Sequence, residues 1–474
     1  MKRIRKQIAA AAACLLALSG LAGCTSGEIA SSGGTSGPSG GAGTVKEALK
    51  FDASKDLDLQ GKTLTISAWG GVVEEGQDEY YDRRYALERR TEERYHVNIE
   101  WMANNPNTFV QDVTLAYSSG KKYADLMFAP SYYGFDLAKL GAVVPLDDYI
   151  DYSKPCYAIT GENLRYVDGK HYSYMPDEIS VNSLGYFVIY NTTLLEKNGC
   201  PDPFELYQQG QWDWEHFGEI AKKCTIVSNG EVVQYGIGGS NLLDALCLSN
   251  GFSIIQMDTQ QKKFTCGLNT AAGLNTLNFV KKLVYDYKSC DGWYGTHNSK
   301  FTFGDAKLAM LICPQYYPNT FVSEGMSIGS VPMPKGSDAS GPVNGLELQE
   351  WWMASAISDF STEELLLVAL DMNENDPAYP DTYISDEAKK ENFVVRSYDT
   401  CVFSTEEEAQ FFYDYIVSND VKTIMNITTD GIKAVIAEKV FTALQKGEDP
   451  RTVMERVQPV IDEALKDMLP QSQN

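Results

Sequence analysis

Strand-like and helix-like segments alternate along this 474-residue chain, and this alternation limits the possible folds more than any other feature. The segment LTISAW at 64–69 has the β-branched alternation of a strand, and the polar segment 75–94 has the composition of a helix. VNIEWM at 97–102 predicts the next strand, and a short apolar strand is predicted at 125–129. Such alternation is typical of α/β proteins, so the sequence predicts an α/β fold.

The first 23 residues have the features of an export signal. A basic start is followed by an apolar run at 8–18, which is too short to span about 30 Å of hydrocarbon. The ending Leu21-Ala22-Gly23-Cys24 resembles the bacterial lipobox, which implies cleavage before Cys24 and lipidation of its thiol, with palmitate as one acyl group. We therefore interpret residues 1–23 as a lipoprotein signal peptide that leaves a membrane-anchored, extracytoplasmic protein.

The segment after Cys24 is rich in Ser, Gly, Thr and Ala and has almost no apolar bulk, so it cannot form a core. We interpret residues 24–60 as the lipidated cysteine and a flexible tether, whose Ser/Gly-rich part spans roughly 25 Å. Within it, residues 37–41 match the GxSxG pattern of serine hydrolases. A nucleophile elbow needs a strand before it and a helix after it, so we reject this match.

The formal net charge of −24 argues against binding to nucleic acid. The negative excess grows when the four basic residues of the signal are removed. A protein with this charge repels anionic ligands at long range, which favours a neutral or cationic ligand.

Residues for metal or covalent chemistry are not arranged in recognisable motifs. The four histidines are scattered without HExxH or zinc-type spacing, so the sequence predicts no metal site and no cofactor. Residues 371–376 begin like a calcium loop but lack its glycine and its final glutamate, and we interpret them as a solvated helix end. Carboxylates are too abundant for a catalytic pair to be singled out. The chain is therefore predicted not to be an enzyme.

Eight cysteines remain after Cys14 and Cys24 are set aside, and none of them forms a CxxC motif. Eight cysteines allow 105 pairings, and their spacing selects none of these. Export favours disulfides, whereas buried thiols pack well as small apolar groups, so both states stay open.

Aromatic residues follow several predicted strands, and this pattern indicates a binding site. In α/β sheets, ligands bind beyond the carboxyl ends of the strands. Flat aromatic faces there suit the apolar C–H faces of sugar rings. The alternative for each residue is packing in a core or an interface. The predicted stacking residues are Trp69, Tyr133, Trp293 and Tyr316.

Several longer stretches, in this order, resemble family 1 extracellular solute-binding proteins, the receptors of sugar-type ABC importers. They are LGYFVIYN at 184–191, GQWDWEHFGEI at 210–220, FGDAKLAM at 303–310 and GSVPMPKG at 329–336. The resemblance implies a monomer with a two-lobed, type II periplasmic-binding-protein-like fold, in which each lobe is a sheet flanked by helices. It further implies that a carbohydrate, an oligosaccharide in particular, is trapped between the lobes and passed to the transmembrane subunits of an ABC permease.

On this resemblance we assign residues 61–178 with 302–344 to the N-terminal lobe. Residues 179–301 with 345–474 then form the C-terminal lobe. The candidate hinge is the segment 175–180. Asn191, at the end of the predicted hinge strand, is expected to cap the following helix.

The segment QEWWMA at 349–354 has two adjacent tryptophans on a predicted strand. Successive strand side chains point to opposite faces, so Trp351 and Trp352 are expected to occupy different environments. We predict that Trp351 borders the ligand, and the alternative is that the two rings lie in two separate cores. Asn344 and Glu350 are predicted to bind sugar hydroxyls.

Two other functional classes stay open. The first is a carbohydrate-active surface enzyme or sensor on the same scaffold. The second is a receptor for a polyamine or a peptide, which would fit the acidic charge.

Overall fold

The computed structural model describes most of the chain after residue 44, and Pro38–Asn474 form one compact unit. The predicted signal peptide and the Ser/Gly-rich part of the tether lie outside the described residues. The described ranges are 45–54, 57–68, 76, 79–105, 107–157, 161, 165–174, 184–239, 241–291, 299–314, 325–346, 350–373, 385–400, 403–418 and 420–469.

The described residues include fourteen strands. In chain order they are β1 Thr63–Ala68, β2 Asn98–Ala103, β3 Leu126–Pro130, β4 Phe187–Asn191, β5 Ile226–Ser228, β6 Glu231–Gly238, β7 Ile255–Asp258, β8 Lys263–Cys266, β9 Cys290–Asp291, β10 Leu308–Cys313, β11 Ile328–Pro332, β12 Val343–Leu346, β13 Glu350–Ala354 and β14 Lys422–Met425.

The α-helices alternate with these strands. They are α1 Glu79–Tyr95, α2 Phe109–Ser118, α3 Ser131–Leu140, α4 Thr192–Lys197, α5 Pro203–Gln208, α6 Trp214–Lys223, α7 Leu242–Ser249, α8 Ala271–Lys281, α9 Ser299–Gly304, α10 Thr362–Asp371, α11 Asp386–Thr400, α12 Glu406–Ile416, α13 Asp430–Val435, α14 Thr442–Gln445 and α15 Pro450–Lys466. Short 3₁₀ turns lie at Val45–Ala48, Pro155–Tyr157 and Gly267–Asn269, and π-helical turns lie at Lys282–Asp286 and Ile436–Phe441. Within the described part of the chain, no helix is both long and apolar enough to cross a membrane.

The first lobe is built on a four-stranded sheet with the order β13-β3-β1-β2. β1 is parallel to both β2 and β3, whereas β13 runs antiparallel to β3. Helix α10 packs against α1 and β13. Its last residue, Asp371, is buried and accepts hydrogen bonds from Thr91 at 2.8 Å and Arg94 at 2.5 Å. The predicted helix end at 371–376 is therefore observed at Asp371, but the expectation that it is solvated is wrong for Asp371 itself.

The second lobe is built on a six-stranded sheet with the order β11-β4-β10-β6-β5, in which β9 also pairs with β6. β10 is parallel to β6 and antiparallel to β4, and β11 is antiparallel to β4. Two small sheets, β12 with β14 and β7 with β8, complete the strand pairing. Together the two lobes form an α/β architecture, as predicted.

The strand pairing corrects the predicted lobe boundaries at two segments. Residues 302–344 were assigned to the first lobe, but β10 and β11 in this range pair with β4 in the second sheet. Residues 345–474 were assigned to the second lobe, but β13 pairs with β3 in the first sheet. Strands far apart in the sequence form these pairs, and local sequence patterns do not specify which sheet a strand joins.

Between consecutive described elements, the chain changes from one lobe to the other three times. The passages run from Tyr174 to Leu184, from Leu346 to Glu350 and from Asn373 to Ser385. All three connecting segments lie outside the described residues, and the predicted hinge at 175–180 belongs to the first of them.

Side-chain capping fixes several helix starts. The Asn191 side chain accepts a hydrogen bond from the Leu194 N–H at 3.0 Å, so the predicted cap of α4 is confirmed. Asp202 and Asp213 cap α5 and α6 in the same way. These caps satisfy N–H groups that have no partner within their helices.

The buried carboxylate of Asp125, directly before β3, is hydrogen-bonded to β1 and to two neighbouring segments. It accepts hydrogen bonds from the Thr65 N–H at 2.9 Å, from Ser358 at 2.7 Å and from Lys122 at 3.0 Å. Burial alone would raise the pKa of Asp125, but these hydrogen bonds hold it below its ordinary value of 3.8.

This network gives a prediction for stability against pH. Because the folded-state pKa of Asp125 is depressed, its stabilising contribution is present above about pH 4 and is lost as the pH falls through the folded pKa. We expect Asp125→Asn to be less stable than the wild type at pH 7, and the difference to shrink at lower pH. Urea unfolding across this range checks it, and a difference that stays constant with pH would contradict it.

Candidate ligand-binding site

The carboxyl edge of the first sheet forms one side of the candidate site. β1 ends at Ala68 and β3 ends at Pro130. Glu350 pairs with Pro130, so the start of β13 lies at the same edge. In the chain, Trp69 comes directly after β1 and Tyr133 comes three residues after β3, while Glu350 begins β13 at the same edge.

The carboxyl edge of the second sheet forms the other side. The parallel strands β6, β9 and β10 end at Gly238, Asp291 and Cys313. Phe187 pairs with Cys313, so the start of β4 lies at this edge as well. Trp293 and Tyr316 follow β9 and β10 by two and three residues, and both side chains lie outside the described residues.

The two edges lie near the same connections between the lobes. The Tyr186 N–H, next to the start of β4, donates a hydrogen bond of 2.8 Å to the Gly345 carbonyl. Gly345 precedes Glu350 by five residues, and a chain of this length spans at most about 18 Å. The carboxyl edges of both sheets therefore lie beside the same connecting segments.

A hydrogen bond to the Asn344 side chain joins two of these connections. Asn344 is buried, and its Oδ1 accepts a hydrogen bond of 2.8 Å from the Gly185 N–H. A Cβ at Gly185 would lie 2.5 Å from both this oxygen and the Gly345 carbonyl oxygen, so only glycine allows this approach. The structure thus gives the Asn344 amide a positioning role, and its predicted contact with a sugar hydroxyl stays a prediction.

Trp351 and Trp352 point to opposite faces of the first sheet, as predicted. Each is 1% exposed. Trp351 packs in the cluster that contains Met127 and Ala129, whereas Trp352 packs in a second cluster, with its ring centroid 4.9 Å from that of Phe128. This burial matches the alternative of two separate cores.

Both indole N–H groups lack a hydrogen-bond acceptor within the described residues. A buried donor without a partner is unfavourable by about 1–3 kcal/mol. The ligand contact of Trp351 was predicted from its place in the sequence and not from its unpaired N–H group. This contact stays a prediction.

Tyr133, on α3, is half-buried, and its ring centroid lies 5.6 Å from that of Phe109. Glu350 lies at the sheet edge, but its side chain is not among those described. Trp69 and Cys24, the predicted lipidation site, lie outside the described residues. Of the four predicted stacking residues, Tyr133 lies within the described part of the chain, on the helix that follows β3, and the contacts of all four with a ligand stay predictions.

A polar group at the first edge was missed by the sequence analysis. Asn104 follows β2, and its Nδ2 donates a hydrogen bond of 3.1 Å to the Ser67 hydroxyl. Burial raises the pKa of the neighbouring Tyr123, which also bonds to Ser67. The signal that could have found this group is the pair Asn104-Asn105 directly after a predicted strand.

Two carboxylates with perturbed pKa values have structural explanations. Burial favours a raised pKa for Asp147, but its 2.7 Å hydrogen bond with the His171 ring outweighs this and lowers it. Burial raises the pKa of Glu408, which accepts N–H groups of Ser330 and Ser404 where α12 meets β11. Within the described ranges, no three His, Cys, Asp or Glu side chains are placed to hold a metal.

No protein-family model matches the sequence, and no curated protein sequence matches it significantly. Solved structures do match its fold. A cyclic α-maltosyl-1,6-maltose binding protein from Arthrobacter globiformis is 14% identical, with a TM-score of 0.57 over 85% of this chain and 99% of that one. The chain has the fold of ABC-transporter substrate-binding proteins. This confirms the predicted two-lobed, periplasmic-binding-protein-like architecture.

Two further structures with this fold differ in their ligands. An ABC substrate-binding protein from Listeria monocytogenes in complex with cycloalternan is 14% identical, with a TM-score of 0.54 over 86% of this chain and 100% of that one. A Mycobacterium tuberculosis protein in complex with glycerophosphocholine is 15% identical, with a TM-score of 0.53 over 85% of this chain and 99% of that one. The substrate-binding fold therefore accommodates both cyclic glycans and a phosphodiester.

Proposed function

We propose that this protein is an extracytoplasmic substrate-binding protein that captures an oligosaccharide between its two lobes and delivers it to an ABC permease. The observation that carries the proposal is that the carboxyl edges of both sheets lie beside the same connections between the lobes. Aromatic residues follow the strands at both edges, with Trp69 and Tyr133 on one and Trp293 and Tyr316 on the other. Hinge closure would bring these two sets together around a ligand.

A carbohydrate fits this arrangement better than the other ligand classes. Aromatic rings on both sides can cover the apolar faces of successive sugar rings, while Glu350 and the Asn104 group supply polar partners for hydroxyls. The structures from Arthrobacter globiformis and Listeria monocytogenes, which bind cyclic oligosaccharides, support the same ligand class. The net charge of −24 fits a neutral glycan better than an anionic one.

The proposed location is the extracytoplasmic face of the cell membrane. The lipobox-like sequence ending in Cys24 supports an acyl anchor, and the Ser/Gly-rich tether would let the receptor reach its permease. Metabolic labelling with a palmitate analogue checks this. Loss of label in Cys24→Ser supports the anchor, and label that persists in this variant would contradict it.

A thermal-shift screen tests the ligand class. A ligand that binds only the folded state at a hundred times its Kd stabilises the protein by about 2.7 kcal/mol. We expect the protein without its tether to be stabilised by one series of oligosaccharides and not by polyamines, amino acids, peptides or glycerophosphocholine. Stabilisation by one of these other compounds alone would overturn the carbohydrate assignment and leave the fold unaffected.

The aromatic residues after the second sheet give a prediction for affinity. We expect Trp293→Ala and Tyr316→Ala each to weaken oligosaccharide binding by about 2 kcal/mol, or roughly 30-fold, because aromatic anchors dominate binding energy in many interfaces. Isothermal titration measures the change. Tyr285→Ala is the matched control, because Tyr285 is 44% exposed on the π-helical turn Lys282–Asp286. Equal affinity in all four proteins would contradict the assigned site.

A further inference from the structure

Two cysteine thiols of the second lobe lie in direct contact. The Sγ atoms of Cys200 and Cys224 are 3.5 Å apart. Cys200 follows α4, and Cys224 is the C-cap residue of α6. Both thiols are free in this structure.

Backbone contacts hold both cysteines in place. The Cys200 N–H donates to the Leu195 carbonyl at 2.9 Å, and the Cys224 N–H donates to the Ile220 carbonyl at 2.9 Å. The ammonium group of Lys223, beside Cys224, donates a hydrogen bond to the Gly199 carbonyl, beside Cys200. The two segments are therefore joined by a polar contact as well as by the thiols.

We propose that Cys200 and Cys224 form a disulfide bond that closes the segment 200–224 of the second lobe. A disulfide needs an S–S separation of about 2.05 Å, so the two sulfur atoms have to approach by about 1.5 Å. Rotation about the Cα–Cβ bonds can supply a movement of this size without displacing α4 or α6. The inference does not depend on the ligand or on the proposed transport function.

The exposure of the two thiols determines which of them reacts first with an oxidant. Cys200 is partly exposed, whereas Cys224 is fully buried, and burial raises the pKa of the Cys224 thiol. The oxidant is a small disulfide, such as oxidised glutathione, or a disulfide oxidoreductase. The Cys200 thiolate attacks one sulfur of this disulfide, and the other sulfur leaves as a thiolate.

The second step forms the intramolecular bond. Cys224 loses its proton to water, attacks the Cys200 Sγ and displaces the second thiolate of the oxidant. Two electrons and two protons pass from the protein thiols to the oxidant, which is reduced to two thiols. The buried Cys224 does not have to contact the oxidant in solution, because it attacks the mixed disulfide already formed on Cys200.

The bond would join the segment between α4 and α5 to the end of α6. A disulfide that closes a loop of about 25 residues restricts the unfolded chain and stabilises the native state. We expect reduction of the bond to lower the Tm of the protein by about 5 °C or more.

Peptide mapping of the full chain tests the proposal. The protein is incubated with oxidised glutathione, its remaining thiols are alkylated, and it is digested with a protease that cuts after glutamate. Cleavage after Glu196, Glu205, Glu219 and Glu231 places Cys200 in fragment 197–205 and Cys224 in fragment 220–231, each with a single cysteine. We expect these two fragments to be linked and to separate on reduction.

Variants and Tm measurements complete the test. We expect Cys200→Ser to abolish both the linked fragment and the dependence of Tm on reductant. Cys290→Ser, which removes another partly exposed thiol, should keep both. Cys200 is preferred to the buried Cys224 because its substitution disturbs packing less. Full alkylation of both cysteines after oxidation, or linkage of Cys200 to a different cysteine, would overturn the proposal.

Discussion

Trp351→Ala and Trp352→Ala are each expected to lower the free energy of unfolding by about 3–5 kcal/mol. Both rings are 1% exposed, and they pack in different hydrophobic clusters on opposite faces of the first sheet. Alanine leaves a large cavity at either position, and the surrounding side chains relax only in part. Because the two residues are adjacent on β13 and share its pairing with β3, the double variant measures the coupling between the two losses.

Urea unfolding of the three variants measures these losses. Trp351→Phe and Trp352→Phe are matched controls that keep an aromatic ring and should lose less stability. A loss below about 1 kcal/mol for either alanine variant would contradict the described packing.

The Trp351→Phe protein also tests the predicted ligand contact, because weaker oligosaccharide binding in a stable variant would support it. Unchanged binding there would leave Trp351 with a packing role alone.

Gly236→Ala is expected to destabilise the second lobe by at least about 3 kcal/mol. Gly236 lies in β6, and a Cβ at this position would be 1.8 Å from the backbone oxygen of Ala221 in α6. The clash is between the added Cβ, whose position is fixed by the backbone of β6, and a backbone oxygen of α6. No rotation of a side chain can therefore relieve it. Helix α6 would have to move away from the sheet on which it packs.

Gly431→Ala is the matched control, because no atom lies within 4 Å of a Cβ at that position in α13. Alanine there should leave stability unchanged or raise it by up to about 1 kcal/mol. Thermal unfolding of both variants gives the comparison. Equal Tm values for Gly236→Ala and the wild type would contradict the close packing of α6 on β6.

Local sequence patterns predicted the first lobe well. The strands expected at 64–69 and 97–102 are observed at Thr63–Ala68 and Asn98–Ala103, and a helix lies between them at Glu79–Tyr95. In these segments the pattern of apolar and polar residues agrees with the tertiary structure. Elements of this kind are determined largely by neighbouring residues.

The division into lobes could not be predicted in the same way. β13 returns to the first sheet after β10 and β11 have joined the second, and each pairing joins residues more than a hundred positions apart. The energy of such pairs depends on the partner strand and on the surface that it buries. The resemblance identified the order of the segments but not the sheet that each one joins.

The candidate site was predicted at the level of position along the chain. The strands that precede the predicted aromatic residues in the chain end at the carboxyl edges of the two sheets. The sequence also indicated that Trp351 and Trp352 face opposite sides of a strand, but it could not show that protein atoms bury both of them. Asn344 was predicted to bind a sugar hydroxyl, and the sequence could not show that its amide oxygen accepts a hydrogen bond from the Gly185 N–H.

Titration calorimetry with an oligosaccharide from the stabilising series, followed by recovery of that ligand, tests the central claim most directly. The proposed receptor predicts one oligosaccharide bound per chain and recovered with its length unchanged. Absence of binding by every oligosaccharide, or recovery of a shortened glycan, would contradict the assignment as a carbohydrate receptor.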